Sequence, residues 1–431
     1  MHQTAPYWWD AAPPAMLPTS PVRPKCDVVI VGAGYTGLSA AITLARAGRS
    51  VQVFDKMRPG EGASTRNGGI ASGNLRPSMK ELTKTFGEAR ALGIQAESKA
   101  ARDDLAAFIQ REHIDCDFKI AGRFTGASSP AAYDDLARDA EMLTRTLGIE
   151  ARAVAKSEQH QYLGTDFYHG GLYRNDIGGL HPAKFHAGML RVAIAAGAVI
   201  HGETAVLGMR REGDRHEVAT ARGTVSADQV IVGTNGYTDK ADTWLRRRLV
   251  PVRSRIIATE PLSNNLMREL MPKGVMCSET RKLHYYYRPS PDGTRILFGG
   301  RDGTITGDSP RPTESLRRAL ADIFPVLSGT PITHSWFGYV AMNRDMVPRI
   351  FSRSGMQYAT GYCGSGVVWA RWAGQKAALQ VLGNADGQSS LDFRPPGMVP
   401  VVGGKAWFMP GVFAWLTLQD KLAARKRKQT G

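Results

Sequence analysis

The sequence is poor in several features that mark whole classes of protein. Only four of its 431 residues are cysteine. Cys26, Cys116, Cys277 and Cys363 stand at neither C-x-x-C nor zinc-ligand spacing. They read as reduced thiols, which argues against a disulfide-stapled fold and for a reducing, cytoplasmic setting. No apolar run reaches the ~20 residues that a membrane-spanning helix needs. No basic segment followed by an apolar core opens the chain, so no secretory leader is read there. There is no internal repeat. Acidic residues are scarce too, 39 against 55 Lys and Arg, for a net charge of +16. That charge first suggests nucleic acid, but the basic residues are spread out and no recognition motif accompanies them. The dense runs 246–248 and 425–428 read as solvated surface, with attraction of anionic small molecules second. No specific nucleic-acid partner is expected.

What is present is a globular composition, 42% hydrophobic and 22% charged, on a chain long enough for two domains. The most informative stretch is 27–55, DVVIVGAGYTGLSAAITLARAGRSVQVFD. It reads as strand, glycine turn, helix, strand. Gly32, Gly34 and Gly37 have G-x-G-x-x-G spacing: one for the tight turn, one for close approach to a pyrophosphate, one for helix–strand packing. Leu38, Ile42 and Ala45 share a helical face, and Gly48 is the stop. Asp55, with Lys56 beside it, ends the second strand where a carboxylate can accept hydrogen bonds from a ribose. The stretch predicts a dinucleotide, FAD or NAD.

Residues 1–24 form a Pro- and Ala-rich arm whose Tyr7, Trp8 and Trp9 anchor it to the body. A small-residue loop at 60–70, with Ser64, Arg66, Asn67, Gly68 and Gly69, must approach something closely. Helical spacing covers 79–118 and 131–147. Pro182 starts a helix that carries Phe185, Met189 and Val192 inward. Short strands follow at 198–201, 206–209 (opening at Val206), 216–220, 223–225 and 230–233. The last runs into a second close-approach turn, Thr234, Asn235 and Gly236. The patterns at 249–260 and 284–300 are β-rich, with a hairpin turn at 291–293. A helix covers 316–324. The strand 355–360 leads through Gly361, Gly364, Ser365 and Gly366 into a helix from Val367 to Leu382, whose N-terminus offers positive partial charge to a ligand. Three close-approach turns around one dinucleotide fit FAD better than NAD, which must come and go.

In order and spacing, these motifs resemble the FAD-dependent amine and amino-acid oxidases of the D-amino-acid oxidase class, nearest the γ-glutamylputrescine oxidase-like branch. They include 179–182 (GLHP) and 336–348 (WFGYVAMNRDMVP). The resemblance covers nearly the whole chain. It implies an α/β fold (α+β overall): a Rossmann-like FAD-binding domain interleaved with an antiparallel-sheet substrate domain. The expected boundaries are an arm at 1–24, FAD-binding segments 25–85, 155–238 and 330–385, substrate segments 86–154 and 239–329, and an extension at 386–431. The implied reaction oxidises a C–N bond of an amine by hydride transfer to flavin N5, giving an imine that hydrolyses to aldehyde and amine.

Departures from the family pattern bear on the substrate. α-Amino-acid oxidases of this class place an arginine where this chain has Val340. Sarcosine oxidase-like members place a lysine after the final glycine turn, where Val367 and Val368 stand. Their covalent flavin cysteine falls at Gly338, so FAD is expected to be non-covalent. Two cationic grips are missing, which favours an amine without an adjacent carboxylate. The alternatives are a glycine, sarcosine or D-amino-acid oxidase or dehydrogenase gripping with Arg66, Arg301 or Arg344, and a non-catalytic flavin-binding or assembly protein. Pocket candidates are His284, Tyr285, Tyr286 and Tyr287. Strand alternation sends Tyr285 and Tyr287 to one face and His284 and Tyr286 to the other. Trp336 and Tyr339 are further substrate contacts. His181 reads as backbone shape and Cys363 as a structural thiol. The electron acceptor is oxygen or a quinone. The uncharged 406–418 segment packs on the body, with a second subunit or a membrane surface as alternatives.

Overall fold

In the computed structural model, residues 2–302, 307–400 and 406–429 are described. Their strands form sheets of eight, eight and three. The first is built on Lys25–Val31, whose apolar run fits a strand covered on both faces. It pairs in parallel with Val51–Phe54 on one side and Gly223–Val232 on the other. Val28 and Ile30 pack into a core with the helices Tyr35–Arg46, Pro182–Ala195 and Gly366–Val381, while Val29 and Val31 join a second core. The first and last of these helices cross closely. A β-carbon at Gly374 would overlap the Thr36 carbonyl oxygen, and Ser39 Oγ donates to Arg371 O at 2.7 Å.

The second sheet is antiparallel except where Met276–Glu279 runs parallel to Arg123–Gly126. Its order is Ile332–Met342, Val250–Thr259, Ile296–Arg301, Tyr286–Pro289, Met276–Glu279, Arg123–Gly126, Gly171–Arg174 and Ala151–Val154. Register assigns its two faces. Cys277, Tyr287 and Phe298 lie side by side and share a core with Leu316 and Leu320 of the helix Arg311–Ile323. The alternate residues Ser278, Tyr286 and Gly299 form the opposite face.

Several elements differ from expectation. The helical stretch from 79 is two helices, Met79–Phe86 and Glu88–Arg111, broken at Gly87 (φ +83°). It stops before 118, because His113 and Asp117 take φ of +50° and +53°. The expected strands at 223–225 and 230–233 are one strand, Gly223–Val232. Ile332–Met342 and Gly171–Arg174 stand in the second sheet, although the expected boundaries put 155–238 and 330–385 with the FAD part.

The arm is anchored through its aromatics. Trp8 is fully buried and donates from Nε1 to Asn67 O at 2.8 Å. Trp9 donates to Thr65 Oγ1 at 2.8 Å. At the other end, the first half of the helix Met409–Gln429 packs on the body. Phe408, Met409 and Phe413 pack with Val250, Val252 and Cys363, and Asp420 accepts from the Lys282 and Leu283 amides. Trp407, Trp415 and Leu418 remain exposed. The side chains of the basic run 425–428 lie outside the described residues. Among the described residues no helix is long and apolar enough to cross a membrane. All four cysteines are buried and free.

Candidate FAD and substrate site

The glycine turn is shaped by contacts that only glycine allows. Gly32 takes φ +103°. A β-carbon at Gly37 would overlap the Gly32 carbonyl oxygen. Gly34 caps the Tyr35–Arg46 helix without a side chain of its own. Ser64, arriving from the 60–70 loop, accepts the Tyr35 amide at 3.0 Å. Behind the turn, His186 donates from Nε2 to Ala33 O at 2.8 Å. Burial pushes its pKa down to about 4, against the Ala33 bond, which favours the charged ring.

Gly32, Gly34, Tyr35 and Ser64 border a cleft of about 1260 Å³, the open solvent at its mouth included. Of the residues expected to hold a dinucleotide, Gly32, Gly34, Asp55, Lys56, Ser64, Asn67, Val206, Thr234, Gly364, Gly366 and Val367 line it. Asp55 receives the Ala33 and Met57 amides at 2.8 and 2.9 Å. Burial raises its pKa to about 6, partly opposed by those bonds. Lys56 turns aside to Asp239 at 2.7 Å and Tyr237 O at 2.9 Å.

The other expected residues stand behind the lining and shape it, together with Asn67 of the lining itself. Arg66 donates to Glu61 O and Phe337 O and lies over the Trp9 ring. Asn67 bonds the Ala63 and Ser64 carbonyls and the Gly69 amide. Gly68 leaves room for the Tyr286 ring. Gly69 O accepts from buried Arg288, which also holds Leu180 O and so ties the loop to the second sheet. Gly236 lets the backbone of Tyr339 approach. Asn235 Oδ1 accepts the Gly361 amide at 3.0 Å and so joins two of the close-approach turns. Gly361 has φ +77°. Ser365 bonds Asn74 O and leaves the Gly366–Val381 helix without a side-chain cap.

Two helix N-termini whose own cap residues make no side-chain cap bond, a buried carboxylate and three glycine-shaped walls around one cleft fit a dinucleotide with a pyrophosphate. Residues 27–379 match the family described as FAD dependent oxidoreductase, DAO. The chain belongs to that family. Probable oxidoreductase OrdL of Rhizobium meliloti (strain 1021) is 32% identical over 425 residues, 96% of this chain and 97% of that protein. Gamma-glutamylputrescine oxidoreductase of Escherichia coli (strain K12) is 30% identical over 407 residues, 92% and 93% of the two chains. The crystal structure of glycine oxidase from Geobacillus kaustophilus superposes with TM-score 0.73 at 20% identity, over 88% of this chain and 100% of that one. This FAD-dependent oxidoreductase is therefore an enzyme with the D-amino-acid oxidase type of fold.

The substrate candidates divide by sheet face. Tyr287 is fully buried against Phe298 and Phe324, and Tyr285 packs on Phe298. Both point away from the cleft, so a catalytic role for Tyr285 and Tyr287 is corrected to packing. Tyr286 and His284 take the other face. Tyr286 OH lies 3.0 Å from Ser254 Oγ, and burial pushes its pKa up to about 12. His284, just before the strand, lies 3.4 Å from Arg76 Nη1. Burial, then the neighbouring Arg76 and Arg123, push its pKa down to about 3. Trp336 is buried, donates to Arg66 O and belongs to the wall behind the cleft. Tyr339 and Val340 line the cleft. His181 is the cap of the Pro182–Ala195 helix, accepting the Lys184 amide at Nδ1. Cys363 is a buried thiol held at φ +52°. Sequence reasoning missed His186, Arg76, Arg123 and Tyr237. Tyr237 directly follows the 234–236 turn and lines the cleft, whereas His186, Arg76 and Arg123 are single polar residues in unremarkable runs that only the folded chain brings beside Ala33 and His284.

Proposed function

We propose that this enzyme oxidises a C–N bond of an amine lacking an adjacent carboxylate, a γ-glutamylputrescine-like compound, and yields an imine that hydrolyses to aldehyde and amine. Bound FAD would supply the hydride acceptor. The carrying observation is Val340: it lines the cleft where the family's α-amino-acid oxidases place an arginine, and valine cannot make a bidentate carboxylate contact. Val368, at the sarcosine oxidase lysine position or beside it, is buried and apolar. The γ-glutamylputrescine oxidoreductase named above supports the same substrate class.

The chain's residues would divide the work. Asp55 would accept ribose hydroxyls, and the two helix N-termini would meet the phosphates and the ring carbonyl. Gly338 offers no sulfur for a covalent bond, in keeping with non-covalent FAD. The second sheet excludes water. With His284 neutral and Tyr286 protonated, the wall formed by these two is uncharged, which favours the free-base amine needed for oxidation. Oxygen or a quinone would reoxidise the enzyme.

In an anaerobic titration, amines without an α-carboxylate should bleach the flavin absorbance. Bleaching by glycine, sarcosine or D-amino acids alone would overturn the reading. An oxygen-consumption assay then separates oxidase from dehydrogenase. The amino-acid oxidase alternative retains one of its three arginines. Arg66 is tied to backbone carbonyls and Arg344 is exposed near Gly397. Arg301 Nη2 would lie 3.9 Å from a β-carbon at Gly364. Bleaching by an α-amino acid that is lost in Arg301→Gln would favour that alternative.

A further inference from the structure

Beside the FAD cleft lies a second cavity of about 1030 Å³, the open solvent at its mouth included. One layer of chain separates the two: Lys56, Asn235, Tyr237, Thr238, Asp239 and Tyr339 line both. The Tyr237 and Tyr339 rings meet edge to face in this wall, with centroids 5.5 Å apart. Tyr237 OH accepts the Tyr339 amide, and neither phenol hydroxyl donates to an acceptor among the described residues. The far side of the cavity is apolar. Pro251 and Val252 come from the strand Val250–Thr259, and Met409 and Phe413 from the helix Met409–Gln429. That helix lies beyond residue 379, where the family match ends, so this chain's own extension completes the cavity. Three cationic side chains border it, Lys56, Arg246 and Arg253, against one carboxylate, Asp239. Arg253 Nη2 lies 3.4 Å from Asp302, a carboxylate that Arg255 holds at 2.8 Å.

We propose that this cavity binds a lipid-soluble quinone, the electron acceptor of the enzyme. The proposal rests on the amine-oxidation reading above and chooses between oxygen and quinone as acceptor. Two electrons and two protons leave the amine, whose C–N single bond becomes C=N. The two quinone carbonyls take them up as hydroxyls, so R–CH2–NH2 and quinone give R–CH=NH and hydroquinone.

The lining suits such a molecule. Its flat ring is apolar, as the far side is. Its carbonyl oxygens are acceptors, which the two unengaged phenols can serve. Reduction builds negative charge on those oxygens, and the excess of cations stabilises that charge. The same excess repels an ammonium ion, which argues against an entrance for the amine. Oxygen, small and apolar, needs no donors around it. Electrons collected in the cleft need cross only the wall that holds Tyr237 and Tyr339. The helix supplies an independent reason. It places Met409 and Phe413 on the cavity and leaves Gly411, Trp415 and Leu418 exposed, at spacings of four and three. Trp407, just before it, is exposed as well. The cavity is thus one helix away from an apolar surface, the side from which a lipid-soluble molecule arrives.

Ubiquinone-1, a short-chain quinone, tests binding without turnover. Calorimetry of the oxidised, FAD-loaded enzyme with no amine present should show saturable binding. Met409→Trp and Phe413→Trp fill the cavity from a side that does not line the cleft, and each should weaken binding about tenfold or more. FAD content and melting temperature report that each variant is folded. After anaerobic bleaching by an amine, ubiquinone-1 should restore the flavin absorbance. The two substitutions should slow that return about tenfold more than they slow bleaching. No saturable binding, equal binding in the folded variants, or a return of absorbance as fast as in the wild type would overturn the site. If binding depends on Met409 but no amine bleaches the flavin, the site stands and amine oxidation fails. If amines bleach the flavin while ubiquinone-1 neither binds nor restores it, amine oxidation stands and the quinone site fails.

Discussion

Asp55 should leave a measurable mark on the pH dependence of the FAD-free protein. Its carboxyl sits between the Ala33 and Met57 amides, yet burial outweighs those bonds and raises its pKa to about 6 from 3.8. A raised carboxyl pKa means that the folded state keeps its proton longer than the unfolded chain does. Between about pH 4 and pH 6 the folded protein therefore holds the extra proton, and stability falls as pH rises through that window. Below it the contribution is fully present; above it the buried charge is a constant cost. A gap of about two pH units at about 1.36 kcal/mol each is worth about 3 kcal/mol. Denaturant unfolding of apoprotein should thus lose about 3 kcal/mol from pH 4 to pH 7 relative to Asp55→Asn, which cannot titrate. In FAD-loaded protein, ribose hydroxyls donating to the carboxylate should stabilise its charged form and flatten the difference. Parallel pH profiles for wild-type and Asp55→Asn apoprotein would refute the reasoning.

Gly37→Ala should cost several kcal/mol and abolish FAD retention, because its methyl would overlap the Gly32 carbonyl and force helix and strand apart; melting temperature and flavin absorbance report both. Trp8→Ala removes a fully buried indole and its bond to Asn67 O, and should destabilise by about 3–5 kcal/mol in urea, weakening FAD binding through the 60–70 loop. Tyr287→Phe deletes a hydroxyl bonded, among the described residues, only to Tyr168 and should leave the flavin reduction rate within about twofold. Tyr286→Phe should change that rate or the amine KM by more than Tyr287→Phe does; stopped-flow reduction distinguishes the two, and the reverse order would contradict the assignment of sheet faces.

The glycine turn was legible in the sequence because its requirements are local. Gly32, Gly34 and Gly37 answer to one turn, and the order of strand, turn, helix and acid is itself the signal. The second half was legible only as a choice. Alternation at 284–287 correctly separated Tyr285 and Tyr287 from His284 and Tyr286, but period two cannot say which face meets the core. That was decided by the helix Arg311–Ile323, whose Leu316 and Leu320 cover the Tyr287 side. The stop of the long helix at Arg111 was hidden because His113 and Asp117 adopt positive φ without glycine.

The crossing of the Tyr35–Arg46 and Gly366–Val381 helices also has a consequence for biosynthesis. Thr36 Oγ1 meets Tyr362 OH at 2.7 Å, Ser39 meets Arg371, and Gly374 seats against Thr36. More than three hundred residues separate these partners. A nascent chain emerging from the ribosome thus presents its glycine turn first and receives the other wall of the cradle last. Contacts of such long sequence separation form slowly, so cofactor capture should be a late event, after residue 374 has been synthesised. Until then the half-built cradle is exposed apolar surface, the form in which chaperones would meet this protein.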